Sequence, residues 1–393
     1  MKYCIGGAAF SGNKGASGML TALMQNIRRY DPEAQFAVLS YYPKTDRQGP
    51  HRNDAEIWDG SPRAAVKNFF RAGLYKLHLP GCSAIRRIAE CDFFLDAAGI
   101  SFADGREKFT CFNILTFLPA LAAGVPVVKV SQALGPFRHP LNRFLARRFL
   151  PRMSLIAARG DQTAGHLAEL GLRNVERFPD VAFSLECSDE DDRSAAGLLP
   201  ETSGDGPVIG ISPSQVVYGL CRQARVDYLG ELAKLVRVLS ARGCHCVLFP
   251  HSAREGVEKT HNNDLPLLRR FAAGLDASPK ITVIDRELDA GVLRRLIARC
   301  DLLVASRFHA IISAMATGVP AVVIGWSHKY AEVLSAFQLE RFVQTYADFS
   351  AERTLELIGG ILGSRDELSR NILARAAALR EENQRFFARF RTN

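Results

Sequence analysis

The residues in this chain best suited to chemistry are Ser306, Arg307 and His309, which directly follow a short apolar run at 302–305. An apolar helical pattern follows them and ends at Gly318, so the spacing predicts a strand-to-helix turn. The first N–H groups of a helix attract anions, an arginine binds phosphate or carboxylate through two hydrogen bonds, and a histidine moves protons near neutral pH. The turn therefore predicts an anion site with acid–base capacity. A structural Arg–carboxylate pair with a capping histidine explains the same pattern equally well.

Two further polar residues follow predicted strands of the same half of the chain. His251 comes after the apolar run 245–249, and Lys329 comes shortly after the run 321–325. Polar residues beyond the carboxyl ends of strands line the ligand site of open α/β sheets. We therefore expect His251 to be a second proton-transfer group and Lys329 to neutralise a second anionic group. A loop histidine and a solvent-exposed lysine remain the structural alternatives.

The first half of the chain offers weaker patterns of the same kind. A Gly-rich loop at 6–17 joins the first predicted strand to a helix and contains Asn13, Lys14 and Gly15. It matches neither the GxGxxG pattern nor the P-loop, and a flexible helix-capping turn explains it as well. Arg159 follows the predicted strand near 154–158, and we include it together with Asp180 as candidate ligand contacts.

Short β-branched runs alternate with longer amphipathic segments along the whole chain, a rhythm typical of βα units and parallel sheets. A chain of 393 residues is long enough for two such domains. A polar, Gly-containing stretch at about 187–207 predicts the linker between them. We therefore expect a domain at 1–187, a second at 207–350 and a helical segment at 351–393. The predicted strands lie near 2–6, 35–41, 92–97, 126–131, 154–158, 208–212, 245–249, 281–284, 301–305 and 321–325.

Composition excludes several classes of protein. Lys and Arg number 50 and Asp and Glu 41, but the basic residues are dispersed, so the net charge of +9 does not indicate nucleic-acid binding. Nine cysteines without paired CxxC spacing argue against a disulfide framework or a structural zinc site. The N-terminus has no apolar signal region, and no apolar run of about 18 residues occurs. We therefore expect a cytoplasmic location and no membrane-spanning helix.

The ordered set of motifs resembles the polysaccharide pyruvyl transferase family over roughly residues 3–345. In the loop after the strand at 92–97 the chain departs from the consecutive glycines that related chains often carry. The most specific part of the resemblance is the segment 306–310 together with 318–320 and Lys329. The other matching motifs lie at 12–15, 125–128, 132–137, 158–160, 170–172, 179–183 and 249–251.

The resemblance implies two doubly wound Rossmann-like domains facing a cleft, as in GT-B glycosyltransferases. It implies transfer of the pyruvyl group of phosphoenolpyruvate to a sugar or lipid-linked oligosaccharide, with a ketal formed and phosphate released. Arg307 and His309 then fall on positions associated with the phosphoenolpyruvate site. We expect His309 to be the general acid, with His251 as second choice.

The resemblance assigns the remaining candidates as follows. Arg307 binds the donor with help from Ser306 and Lys329, and no metal or cofactor is needed beside the donor substrate. Residues 13–15 hold the acceptor, with Arg159 and Asp180 as further contacts.

Two other functions stay open at this point. One is a nucleotide-sugar-dependent glycosyltransferase of the same architecture, and the other is a non-catalytic sugar- or anion-binding protein that has kept the fold. A peripheral membrane contact at the inner face is a further expectation, since Arg380, Arg385, Arg389 and Arg391 make the C-terminal helix basic. The same arginines also suit the C-terminal end of a helix dipole. The oligomeric state is not indicated.

Overall fold

The computed structural model describes residues 1–199, 206–256, 263–326 and 329–391, without the side chains of Arg52, Lys329, Ala331 and Glu332. The chain forms two compact units. Unit 1 comprises residues 1–12, 16–185 and 380–393, and unit 2 comprises residues 13–15 and 186–379.

Unit 1 is built on a parallel sheet in which strand order reverses beside the first strand. The order is β3-β2-β1-β4-β6-β7-β8, with β5 added beside β6. The central strand β1 is almost fully buried, which explains its apolar sequence. The strands are β1 Lys2–Gly6, β2 Gln35–Ser40, β3 Glu56–Asp59, β4 Phe93–Asp96, β5 Ile100–Ser101, β6 Val127–Leu134, β7 Leu155–Arg159 and β8 Val175–Phe178. The helices of this part of the chain are α1 Lys14–Tyr30, α2 Pro43–Gln48, α3 Pro62–Lys76, α4 Ser83–Ala89, α5 Glu107–Ala122, α6 Pro140–Phe149 and α7 Asp161–Glu169.

A buried ion pair lies at the carboxyl end of β4. The Lys129 ammonium, in the middle of β6, donates to Asp96 at 2.7 Å and to Asn113 at 2.8 Å. The rings of Phe102 and Phe117 flank it, each with its centroid 4.8 Å away. Burial lowers the pKa of Lys129, although Asp96 acts in the opposite direction. The pair is fully desolvated, so each charge depends on the other to remain inside the core.

Unit 2 repeats the architecture with six parallel strands in the order β11-β10-β9-β12-β13-β14. The strands are β9 Val208–Ser212, β10 His245–Leu248, β11 Ile281–Val283, β12 Leu302–Ala305, β13 Ala321–Gly325 and β14 Val343–Thr345. The helices are α8 Asp189–Ala196, α9 Gln215–Gln223, α10 Tyr228–Ala241, α11 Leu265–Ala272, α12 Ala290–Ala298, α13 Phe308–Thr317, α14 Lys329–Ser335, α15 Ala351–Leu362 and α16 Arg365–Phe387.

The predicted strands are confirmed to within a few residues, but four strands were not predicted from the sequence. These four are β3, β5, β8 and β14. Three of them form sheet edges. Edge strands are short and polar on their solvent side, so their apolar pattern is weak.

The predicted linker and C-terminal segment differ from the structure. Residues 189–196, expected in the linker, form helix α8, which Ser188 and Asp191 cap reciprocally. Its acidic first turn suits the positive end of the helix dipole, so the same polar residues that predict a linker also stabilise a helix start. Residues 200–205 lie outside the described part of the chain. The segment predicted as 351–393 is divided, since residues up to Leu379 belong to unit 2 and residues from Arg380 to unit 1.

All nine cysteines are free thiols. Within the described ranges, no helix is long and apolar enough to cross a membrane.

Candidate functional site

Three adjacent strands of unit 2 bring the predicted site residues to one edge of the sheet. Strand β9 lies between β10 and β12, and all three run parallel, so their carboxyl ends meet at the same edge. Ser212 is the last residue of β9 and Ser214 follows it, His251 follows β10, and Arg307 follows β12. In open α/β sheets this edge is where ligands bind.

Arg307 forms a two-point ion pair with the buried carboxylate of Asp264. Its Nε donates to Oδ2 at 2.8 Å, and its Nη2 donates to Oδ1 at 2.6 Å. Asp264 has no exposed surface, whereas the Arg307 side chain is 16% exposed. Burial disfavours the charge of Arg307, but Asp264 outweighs this effect and raises its pKa. The Arg–carboxylate pair that the sequence left open is therefore present.

Asp264 also ties together the loops that follow β9 and β10. Its carboxylate accepts from the backbone N–H of Gln215 at 2.8 Å and of Ser252 at 3.2 Å. Its own N–H donates to the Ser252 carbonyl at 2.6 Å. With Arg307 added, one side chain connects the ends of three neighbouring strands. Asp264 thus fixes the guanidinium relative to the surrounding loops.

The pair with Asp264 leaves one side of the guanidinium available. Among the described residues, Nη1 of Arg307 has no hydrogen-bond partner. Arg307 is the N-cap residue of α13, so the first N–H groups of that helix start beside its backbone. The Tyr330 hydroxyl donates to the Ser306 carbonyl at 2.9 Å and holds this turn in place. Gly318 ends the helix with φ 80°, as the sequence predicts.

His251 lies in a positively charged, dehydrated environment. Burial lowers the pKa of His251 to about 3, assisted by the charges of His309, Arg307 and Arg294. The imidazole is therefore neutral near pH 7 in the unliganded protein. His309, the second residue of α13, is half-buried, and Arg294 of α12 is 4% exposed. The positive charges that act on His251 would be balanced by an anion bound beside them.

Two serine hydroxyls at the end of β9 add polar groups to this region. Ser212 is 2% exposed and Ser214 is fully buried. Their Oγ atoms have no hydrogen-bond partner among the described residues. The Ser214 N–H, in contrast, donates to the Tyr228 hydroxyl at 3.2 Å. A buried hydroxyl without a partner is costly, which suits a group that completes its hydrogen bonds with a ligand.

Residues 13–15, expected in the first domain and opposite the donor site, belong instead to the same unit as His309. Gly15 lies so close to the His309 ring that a Cβ at position 15 would collide with it. The Gly15 N–H donates to the Asn13 side-chain oxygen at 3.0 Å. The Lys14 ammonium, only 4% exposed, lies 2.8 Å from Glu287 and 3.4 Å from Asp289. Gly15 therefore contacts the histidine of the candidate site, while Lys14 is neutralised by carboxylates.

The remaining predicted residues lie elsewhere. Arg159 and Asp180 belong to unit 1, where Nη1 of Arg159 donates to Oδ2 of Asp180 at 2.8 Å, and both side chains are buried. Lys329 is the first residue of α14, but its side chain lies outside the described part of the structure. Of the predicted residues, the structure thus brings together Ser306, Arg307, His309, His251 and Gly15.

Sequence reasoning missed Asp264, Arg294, Ser212 and Ser214 as components of this site. Ser212 ends a predicted strand and Ser214 follows it, but a serine at a strand end is unremarkable by itself. Asp264 is the N-cap residue of α11 and Arg294 lies on the amphipathic helix α12, and neither position distinguishes a site residue from an ordinary structural one. Within the described residues, no group of three His, Cys, Asp or Glu side chains is arranged to hold a metal ion. The arrangement is suited to binding an anion and transferring protons.

Comparison with known proteins agrees with this architecture. The family model described as polysaccharide pyruvyl transferase matches residues 13–328. The chain is 20% identical over 408 aligned positions to the amylovoran biosynthesis protein AmsJ of Erwinia amylovora, covering 95% of this chain and 94% of that protein.

Solved structures share the fold at low identity. The Anabaena protein Alr3699/HepE, in complex with UDP and glucose, superposes with a TM-score of 0.58 at 14% identity, over 99% of this chain and 97% of that one. MnaA of S. aureus, in a structure with UDP, gives a TM-score of 0.59 at 13% identity, over 96% and 91% of the two chains. The predicted GT-B-like pair of parallel α/β domains is confirmed.

Proposed function

Because the chain belongs to the polysaccharide pyruvyl transferase family, we propose that it transfers the pyruvyl group of phosphoenolpyruvate to a sugar. The acceptor is a bacterial-type polysaccharide or glycan precursor, either free or lipid-linked, and the products are a pyruvate ketal and phosphate. The observation that carries the proposal is that Arg307, His309 and His251 lie at the carboxyl edge of the unit 2 sheet, where the charge of Arg294 also acts on His251. This edge offers positive charge and proton-transfer groups to a small trianion.

In this proposal Arg307 holds the donor. Its Nη1 side faces away from the pair with Asp264 and can donate to the carboxylate or phosphate of phosphoenolpyruvate. The N-terminus of α13 and the hydroxyls of Ser212 and Ser214 supply further donors. Ser306 and Lys329 stay predicted donor contacts. Positive charge fixed here stabilises the charge that moves onto phosphate as it leaves.

The chemistry then needs one proton donated to carbon and protons removed from the acceptor. The protonated imidazole of His309 gives its proton to the methylene carbon of phosphoenolpyruvate, forming a C–H bond and leaving an oxocarbenium-like centre at C2. A sugar hydroxyl forms a C–O bond to that centre as its proton passes to a base. The bond from C2 to the phosphate oxygen breaks with its electron pair, and a second hydroxyl closes the ketal. One hydroxyl proton restores the imidazolium, and the other leaves on phosphate, so atoms and charges balance.

The two histidines divide these roles by their surroundings. His251 is neutral near pH 7, since burial and neighbouring cations lower its pKa to about 3. A neutral imidazole accepts the hydroxyl proton but has none to give, so His309 remains our choice of general acid and His251 becomes the base. Binding of the anionic donor opposes the surrounding positive charge and raises the pKa of His251 toward the working range.

Residues 13–15 stay the predicted acceptor contacts. Their loop touches His309, so an acceptor hydroxyl bound there lies near the proposed acid. Arg159 and Asp180 stay predictions as further acceptor contacts. The mechanism uses no metal or cofactor, because protonation by imidazole activates the donor. A cytoplasmic location likewise stays a prediction.

The test is thermal unfolding of the full chain with phosphoenolpyruvate and, separately, with a panel of nucleotide sugars. Ligand at about a hundred times its dissociation constant stabilises a protein by roughly 2.7 kcal/mol. Stabilisation by phosphoenolpyruvate supports the proposal and justifies an acceptor screen that follows phosphate release. Stabilisation by a nucleotide sugar alone overturns it in favour of a glycosyltransferase. Binding of phosphoenolpyruvate without phosphate release, over a broad acceptor panel, favours a non-catalytic binding protein.

A further inference from the structure

Helix α3 of unit 1 exposes an unusual number of large apolar side chains. Phe70 is 66% exposed and Phe69 is 42% exposed, and their rings contact edge to face at 5.3 Å. Leu77, just after the helix, is 69% exposed, and Leu74 is 39% exposed. The face that packs into unit 1 is made of small or polar residues, namely Ala65, Asn68 and Ala72. The helix is thus amphipathic with its larger apolar side chains turned toward solvent.

The neighbouring helices also expose large aromatic side chains. Helix α3 packs against α5, and α5 packs against α6. Phe109 on α5 is 59% exposed, and Phe144 on α6 is 64% exposed. We call Phe69, Phe70, Leu74, Leu77, Phe109 and Phe144 the aromatic face. Soluble monomers seldom expose so many large apolar groups on one helical layer unless another surface covers them.

Positive charge accompanies the aromatic face. Residues 60–89 contain no Asp or Glu, and residues 138–160 contain none either. The first segment carries Arg63, Lys67, Arg71, Lys76 and Arg86, and the second carries Arg138, Arg143, Arg147, Arg148 and Arg152. Arg87 and Arg159 are not counted, because they pair with Glu56 and Asp180. On α3 the helical spacing puts Arg63, Lys67 and Arg71 along one border of the apolar residues. Aromatic side chains bordered by cations are typical of helices that lie in a lipid headgroup region.

We propose that the aromatic face docks unit 1 on the surface of an anionic lipid bilayer. Lysine and arginine attract anionic headgroups, while the phenylalanines and leucines enter the boundary of the acyl chains. A second copy of the chain is a poorer occupant, because a symmetric contact through this face would bring two sets of positive charges together. The proposal does not depend on the proposed reaction.

The basic end of helix α16, expected from sequence to contact lipid, lacks the apolar component. The aromatic residues there, Phe386, Phe387 and Phe390, are buried. Arg389 pairs with Glu176 of β8, so its charge is already compensated within unit 1. The aromatic face therefore replaces the C-terminal arginines as the surface for membrane contact.

The test is flotation of the full chain with vesicles of phosphatidylcholine, with and without phosphatidylglycerol. We expect binding to the anionic vesicles and a loss of roughly tenfold or more in partition coefficient for each phenylalanine removed in F69S/F70S. The charge variant K67E/R71E is expected to weaken binding by at least roughly fivefold for each charge removed. K234E/R237E, on exposed residues of α10 in unit 2, changes the net charge equally and is expected to retain binding.

A second measurement tests insertion. In F70W, we expect the new indole to be quenched by lipids brominated in their acyl chains more strongly than the native Trp58 and Trp326. Each variant is first checked for wild-type circular dichroism and melting temperature. Failure of the wild type to bind anionic vesicles, or equal binding by wild type and F69S/F70S, overturns the proposal. If F69S/F70S instead converts a dimer to a monomer in sedimentation, with no vesicle binding by either protein, the occupant is a second copy and the proposal is wrong.

Discussion

The ion pair between Arg307 and Asp264 makes a simple alanine substitution at the proposed donor site ambiguous. Asp264 has no exposed surface, and Arg307 satisfies it through two hydrogen bonds. Arg307→Ala leaves this carboxylate buried without its cation, which costs about 3–5 kcal/mol of unfolding free energy. Loss of ligand binding in that variant has two explanations, a missing ligand contact or a damaged site.

A double variant separates the two explanations. In Arg307→Met with Asp264→Asn, both charges disappear together, and the Asn oxygen still accepts from the Gln215 N–H, which lies 2.8 Å from the carboxylate in the wild type. The weaker contact to the Ser252 N–H, at 3.2 Å, is the main loss. We therefore expect urea unfolding to recover most of the lost stability, to within about 1–2 kcal/mol of wild type.

The stabilisation that phosphoenolpyruvate gives each variant then tests the donor site itself. At about a hundred times its dissociation constant it stabilises the wild type by roughly 2.7 kcal/mol, and a hundredfold weaker dissociation constant reduces this gain to about 0.4 kcal/mol. We expect phosphoenolpyruvate to stabilise both the single and the double variant by only about 0.4 kcal/mol. If the double variant regains its stability and phosphoenolpyruvate still stabilises it as much as the wild type, Arg307 does not bind the donor. Its role would then be structural only.

Three further predictions concern the histidines and the glycine beside them. The unfolded chain protonates His251 below its ordinary pKa of 6.5, whereas the folded chain does so only near pH 3, so stability falls as pH decreases. Between about pH 7 and pH 5 the free energy of unfolding should fall by roughly 2 kcal/mol for this reason, and His251→Asn should remove that fall in urea titrations. A His251→Asn variant whose unfolding free energy depends on pH as the wild type's does would contradict the assignment. His309→Asn should lower phosphate release by roughly a hundredfold to ten-thousandfold while phosphoenolpyruvate still stabilises the variant, and equal turnover excludes it as the acid. Gly15→Ala should lower the free energy of unfolding by about 1–3 kcal/mol, because the new Cβ collides with His309. The control Gly165→Ala, in a helix with open space around the Cβ position, should be neutral or stabilising. Equal effects of the two substitutions would show that the contact between Gly15 and His309 is not tight.

Much of the unit 2 site could be predicted because its residues follow strands directly. Arg307 and His309 sit where an apolar strand ends and a helix begins, and both boundaries are visible in consecutive residues. His251 follows β10 in the same way. A local pattern is sufficient here, since parallel strands bring their carboxyl ends to one edge in any α/β sheet.

The partner of Arg307 could not be predicted in the same manner. Asp264 stands 43 residues away in sequence, at the N-cap of α11, and meets the arginine only through the order of the strands. Spacing alone does not decide whether the guanidinium is paired with a carboxylate or available to a ligand. The same holds for Arg294, whose position on α12 resembles that of any helix arginine until the helix is packed.

Helix α3 has a clear local pattern, but that pattern does not show which side of the helix is buried. Its apolar residues repeat at helical spacing, a pattern that in most proteins marks the side facing the core. Only the packed structure shows that Ala65 and Ala72 face inward while Phe69 and Phe70 face solvent. Periodicity shows that a helix has two different faces, but it does not show which face is buried in the protein.

The amino-acid sequence alone determined the parallel α/β architecture, the core strands and the turn that carries Arg307 and His309, because these depend on the hydrophobic pattern of neighbouring residues. The tertiary structure decided the pairing of Arg307 with Asp264, the neutral state of His251 and the exposure of the aromatic face. Each of these depends on groups that are distant in sequence. Burial and charge act through space, so they are settled only when the strand order brings those groups together.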